Sequence, residues 1–146
     1  MKYLKPLLIF VSLLLFASSL IAQVSGTGIG ESSFTIENRL TRMGLSVERD
    51  ISEGIKYIYY DGEGEGGYVV HTYFLDEYNI CFYSMLSTTS AVLSKQLKDT
   101  YDLLYKKNKP TNECNRSWID SQGVVTCYKE VMINGVRHYQ VHFYKE

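Results

Sequence analysis

Asn134-Gly135 separates two runs dense in β-branched and aromatic residues, Val124 to Ile133 and Val136 to Tyr144. A two-residue type I′ turn needs positive φ at both central positions, which Asn and Gly tolerate and most residues do not. The dipeptide therefore predicts a tight antiparallel hairpin and fixes its register. Ile133 faces Val136, Val131 faces His138 and Cys127 faces His142. Side chains alternate along a strand, so Tyr139, Val141 and Phe143 share a face with Glu130, Tyr128 and Thr126, the side expected to meet the core. His138, Gln140, His142 and Tyr144 take the other side.

The same alternating, aromatic-rich composition recurs in Ile55–Tyr60, Tyr68–Leu75 and Ile80–Leu86, with Asp61–Gly67 and Asp76–Asn79 as connecting turns. A further short strand is expected over Ser117–Ser121. Two segments switch to helical spacing. Ile36, Leu40 and Met43 recur at i, i+4 and i+7, and Gly44 is placed to end that helix near residue 43. A second helix is expected over 89–107, with Leu93, Leu97, Tyr101 and Leu104 on its buried face and Lys106 and Lys107 at the negative end of its dipole. The expected fold class is α+β: tandem α-β-β-β units forming an antiparallel sheet with two helices on one face. In element order this resembles the tandem-repeat fold of beta-lactamase-inhibitor proteins and the small outer-membrane assembly factors related to it. The resemblance carries no residue and no activity across.

Met1–Ala22 has the layout of an export signal. Lys2 and Lys5 precede an apolar stretch from Leu7 to Phe16, and small residues lead to a cleavage point after Ala22. The apolar run is shorter than the ~20 residues of a spanning helix, so a stable membrane anchor is not expected. Residues 23–33 read as a flexible lead-in and 34–146 as one domain, secreted or periplasmic. The formal net charge of −1 becomes more negative once the two signal lysines are gone, and no basic face concentrates, which argues against a nucleic-acid partner.

The chain has three cysteines, an odd number for a compartment that permits disulfides. A turn centred on Asp120-Ser121 would set Cys114 opposite Cys127 and allow a bridge. A four-residue turn over Asp120–Gly123 would place Arg116 there instead and lose it. In the third alternative all three thiols are small buried hydrophobes.

Catalytic signatures are missing: there is no nucleophile elbow, no zinc-binding His-Glu-x-x-His and no dinucleotide fingerprint. Neither a cofactor nor a metal centre is expected. The acidic, glycine-rich Asp61–Gly67 lacks the Lys-Ser/Thr of a phosphate loop. It also lacks the twelfth-position Glu of a calcium loop, because Thr72 stands there, so a solvated hairpin loop is the plainer reading. His138 and His142, four residues apart on one strand face, are ~13 Å from each other, too far for one metal ion. Cys127 opposite His142 has the make-up of a thiolate–imidazole pair but no third orienting group.

Tyrosine remains the unexplained excess, 13 residues against six Phe and one Trp. It offers a large contact area with a polar tip at low entropic cost, which suits surfaces that hold partners. The expectation is a non-enzymatic protein-binding module, an inhibitor, adaptor or envelope-associated protein. Tyr60, Tyr128, His138, His142 and Tyr144 are its candidate contacts. The alternative is a small-ligand or glycan-binding protein in which Trp118 stacks on the ligand.

Overall fold

The computed structural model describes residues 26–64, 67–109 and 111–146, without the side chains of Ile58, Tyr60 and Glu63. The expected export signal, Met1–Ala22, and residues 23–25 lie outside the described residues. Among those described, two helices and eight strands form one α+β unit around a single antiparallel sheet.

Helix α1 (Ser33–Arg42) starts where the Ser32 hydroxyl accepts the Thr35 N–H, and it ends at Met43, before Gly44 with φ +77°. Strands β1 (Glu48–Ser52), β2 (Ile55–Gly64), β3 (Gly67–Leu75) and β4 (Cys81–Thr88) follow as a meander. Helix α2 (Ala91–Leu104) is capped by Ser90, whose hydroxyl accepts the Leu93 N–H. Strands β5 (Lys106–Lys107), β6 (Arg116–Ile119), β7 (Val124–Ile133) and β8 (Val136–Lys145) complete the chain. The strand order is β1-β2-β3-β4-β8-β7-β6-β5, so the last strand of each half lies at the centre and the first at an edge.

The Asn134-Gly135 hairpin has the expected register, 133 with 136, 131 with 138 and 127 with 142, and both turn residues have positive φ. Three other expectations need correcting. Strand β1 is additional, joined to β2 by Glu53-Gly54, which adopts positive φ at both positions and so does the work of an Asn-Gly. The second helix stops at Leu104 because Tyr105 is extended. Lys106 and Lys107 then pair with Ile119 and Trp118 as an edge strand, and Leu104 is exposed. Third, β2 does not stop at Tyr60. It pairs with β3 as far as Gly64 opposite Gly67, so Asp61–Gly64 are ladder residues rather than a wrapped ion-binding loop.

Both helices cover the same face. Ile36 and Leu40 of α1 pack on Tyr73, Leu75 and Cys81. Leu93, Leu97 and Tyr101 of α2 pack on Leu86, Trp118, Tyr128, Val141 and Phe143. Residues 26–32, the expected lead-in, belong to this packing. Gly28 is buried against the Tyr73 ring, Gly30 N–H and Glu31 C=O bond to Cys81, and Thr27 C=O accepts the Ser84 hydroxyl at 2.6 Å. Between the two clusters runs a buried polar relay. The Tyr73 hydroxyl meets His71 Nδ1 at 3.1 Å, and His71 Nε2 meets Ser84 Oγ at 3.3 Å. Burial first, and the Arg39 charge second, lower the His71 pKa to about 3, which keeps the ring neutral.

Candidate functional site

The face away from the helices is where surface chemistry can gather. Alternation from the register assigns it Glu48 and Asp50 of β1, Tyr57, Tyr59 and Asp61 of β2, Tyr68, Thr72 and Phe74 of β3, then Tyr83 and Met85 of β4. From β8 come His142 and Tyr144.

Their rings form a continuous strip across four strands. Tyr59 lies 6.0 Å from Tyr57, Tyr57 6.0 Å from Phe74, Phe74 5.3 Å from Tyr83 and Tyr83 5.9 Å from His142, between ring centroids. These spacings are those of favourable tilted pairs, and each ring is half-buried. The Tyr83 hydroxyl shares a hydrogen bond with His142 Nδ1, and His142 Nε2 is buried without a hydrogen-bond partner among the described residues. Burial, then the nearby Lys129 charge, lower the His142 pKa to about 4. Burial also raises that of Tyr83.

At the β1–β2 end the strip meets carboxylates. Tyr57 donates to Asp50 Oδ2 at 3.2 Å and Tyr68 to Asp61 Oδ2 at 2.9 Å, and Glu48 stands opposite Tyr59 in the register. The Tyr68 phenol is held above its usual pKa chiefly by that bond. The Tyr57 phenol is raised by loss of solvent and by Asp50. At the other end the face is closed. The Cys114–Cys127 disulfide, with Cα atoms 5.4 Å apart, brings the segment before β6 over β7, and Val125 and Cys127 are buried there. Neither expected turn produced this bridge. Asp120 pairs back to Val124, so Cys127 faces Ser117, while Cys114 lies before β6 and swings across the face to reach it. With Cys127 bridged, the thiolate–imidazole pair with His142 is ruled out. Cys81, the free cysteine, is buried, and its pKa is pushed up to about 12.

The candidate contacts thus divide. His138, His142 and Tyr144 share the helix-free face as expected. Trp118 and Tyr128 do not: both are 2% exposed or less under α2, where Trp118 Nε1 donates to Asp102 at 2.9 Å and the Tyr128 hydroxyl bonds Ser94 and Glu130. Tyr60 pairs with His71, a position of the helix-covered face, and its side chain lies outside the described residues. Sequence reasoning missed Tyr57, Tyr59, Phe74 and Tyr83. The available signal was phase, since Asp61 and Glu63 alternate with Tyr57 and Tyr59 and mark that side of β2 as the wet one.

An open cleft of about 460 Å³ lies beside α1, lined by residues including Glu37, Arg49, Asp50, Lys56 and Tyr57. Arg49 pairs with Glu37 across it. Among the described residues no group of His, Cys, Asp and Glu is arranged to hold a metal ion, and no helix is long and apolar enough to cross a membrane. Compared with known proteins, the chain matches no family model, no curated protein and no solved structure.

Proposed function

We propose that this chain is an exported, non-enzymatic protein-binding module that holds its partner on the helix-free face of its sheet. The observation that carries this reading is the strip Tyr59–Tyr57–Phe74–Tyr83–His142, an aromatic surface continuous over four strands with no element of the chain laid on it among the described residues. Rigid rings need little side-chain ordering on contact, so a surface of this kind binds at low entropic cost. The disulfide and the signal-like Met1–Ala22 support an address outside the reducing cytosol. The two helix-plus-four-strand halves, meeting at β4 and β8, are read as tandem units that together supply one broad face.

The test is cross-linking capture from the native secreted or envelope fraction, with the processed protein as bait and a Tyr57→Ala/Tyr59→Ala variant as control. One abundant partner, retained by the parent and lost from a variant of unchanged melting temperature, is the expected result. A well-folded bait that retains nothing, or a variant that retains the same partner, would sink the reading. The cleft beside α1 favours a second reading, a small-ligand site. It would show as a rise in melting temperature with a screened ligand, cancelled by Arg49→Ala. Trp118, the stacking residue that the sequence suggests for such a ligand, is buried in the core.

A further inference from the structure

The binding face is electrically one-sided. Its β1–β2 end carries Glu48, Asp50 and Asp61; Arg49 and Lys56 alternate to the other side of the sheet, and where they line the cleft beside α1 with Asp50 and Tyr57 their cations are engaged by Glu37 and Asn79. Among the described residues of β1–β4, no lysine or arginine occupies a helix-free position. The carboxylates also sit against rings. Asp50 takes the Tyr57 hydroxyl and Asp61 the Tyr68 hydroxyl, each through its Oδ2, while Glu48 faces Tyr59. Such a pairing suits a guanidinium. The negative face of the ring attracts the cation, and the neighbouring carboxylate accepts two of its N–H groups.

We infer that the partner presents an arginine-bearing extended segment to the Asp50–Tyr57 and Asp61–Tyr68 pairs. This rests on the protein-binding reading above and names the chemistry of the partner. The spacing carries the argument further. Tyr57 and Asp61 are four residues apart on β2, ~13 Å, which is also the distance between side chains i and i+4 on one side of an extended chain. The segment therefore carries basic residues four apart. Arginine is preferred over lysine, because only the planar group stacks and chelates together.

The experiment is fluorescence anisotropy with the processed protein and a labelled glycine/serine peptide carrying two arginines four residues apart. Parallel peptides carry lysine or glutamate at the same positions. The arginine peptide is expected to bind at least about tenfold more tightly than the glutamate peptide, with the lysine peptide between them and the preference fading as salt rises. Asp50→Asn/Asp61→Asn, isosteric and at exposed positions, is expected to weaken the arginine peptide about tenfold at an unchanged melting temperature. Equal binding of arginine and glutamate peptides, or indifference to the double substitution, would overturn the inference. So would salt-sensitive self-association of the protein alone that the same substitutions abolish, since a second copy would then be the occupant. If the captured partner is lost from Tyr57→Ala/Tyr59→Ala but kept by Asp50→Asn/Asp61→Asn, the partner-binding reading stands and this inference fails. If arginine peptides bind but the tyrosine variant retains the same captured partner, the reading fails instead.

Discussion

A methyl group at Gly28 would lie 2.6 Å from the Tyr73 ring, on backbone with φ of +73°, whereas Gly30 has φ of +81° and open space around it. Both positions penalise a side chain through the backbone, but only the first adds a clash with a buried ring. Gly28→Ala is expected to cost about 2–4 kcal/mol and Gly30→Ala about 1–2 kcal/mol, read from urea midpoints at constant slope. Equal effects would mean that residues 26–32 are not tightly packed. His71 gives a pH signature. Its ring stays neutral in the fold down to pH about 3, while in the unfolded chain it gains a proton below about 6.5. The unfolded state thus binds more protons between those values. Stability is complete above pH 6.5 and falls as pH drops toward 3, by up to about 1.4 kcal/mol per pH unit from this one group. His71→Gln is expected to start less stable at pH 7 and to lose that part of the slope. An unchanged slope would assign acid sensitivity to other groups.

At the level of elements, the Cys114–Cys127 staple closes a loop between residues 13 apart and fixes the covered end of the sheet. Cys114→Ser/Cys127→Ser is expected to lose about 3 kcal/mol, with parent and variant converging when the parent is reduced. Ser90→Ala at the cap of α2 is expected to cost about 1 kcal/mol in the same assay, because the Leu93 N–H would be left buried without its acceptor. The elements also show what was legible in the sequence. The Asn134-Gly135 hairpin, the presence of both helices and the core side of β8 could be read, because turn chemistry and side-chain period are local properties. The disulfide could not be derived from either turn, because Cys114 reaches its partner from outside the strand. Strand β1 was missed because Glu53-Gly54 is a weaker turn signal and because Glu48–Ser52, exposed throughout at the edge, lacks hydrophobic alternation. The edge is partly guarded by its own chemistry, since Asp50 Oδ1 accepts the Ile51 N–H at 2.7 Å. As for the helix-free face, His142 and Tyr144 were placed through the register that Asn134-Gly135 fixes. Tyr57, Tyr59, Phe74 and Tyr83 depended on cross-strand registers that no single segment encodes, and a bulge between Phe74 and Leu75 shifts one of them.

Over the whole molecule, the two hydrophobic clusters lie on one sheet, and Ile29 packs against both. The polar relay from Tyr73 through His71 to Ser84 runs between them. Unfolding is therefore expected as a single transition, with fluorescence of the lone Trp118 and far-ultraviolet circular dichroism superimposing in urea. Separated curves would mean that the halves melt independently. The place of β8 in the sheet also bears on biosynthesis. Strand β4 has its central neighbour in the ten residues of β8, which are synthesised well after it. Until those residues leave the ribosome, β4 and β7 each present a bare edge and the halves have no seam to close on. Pairing β4 with β8 is thus a contact of long sequence separation, and such pairings form late in folding. A chain cut short before Val136 would carry two open edges into a crowded compartment, which makes truncation a more dangerous lesion here than most single substitutions.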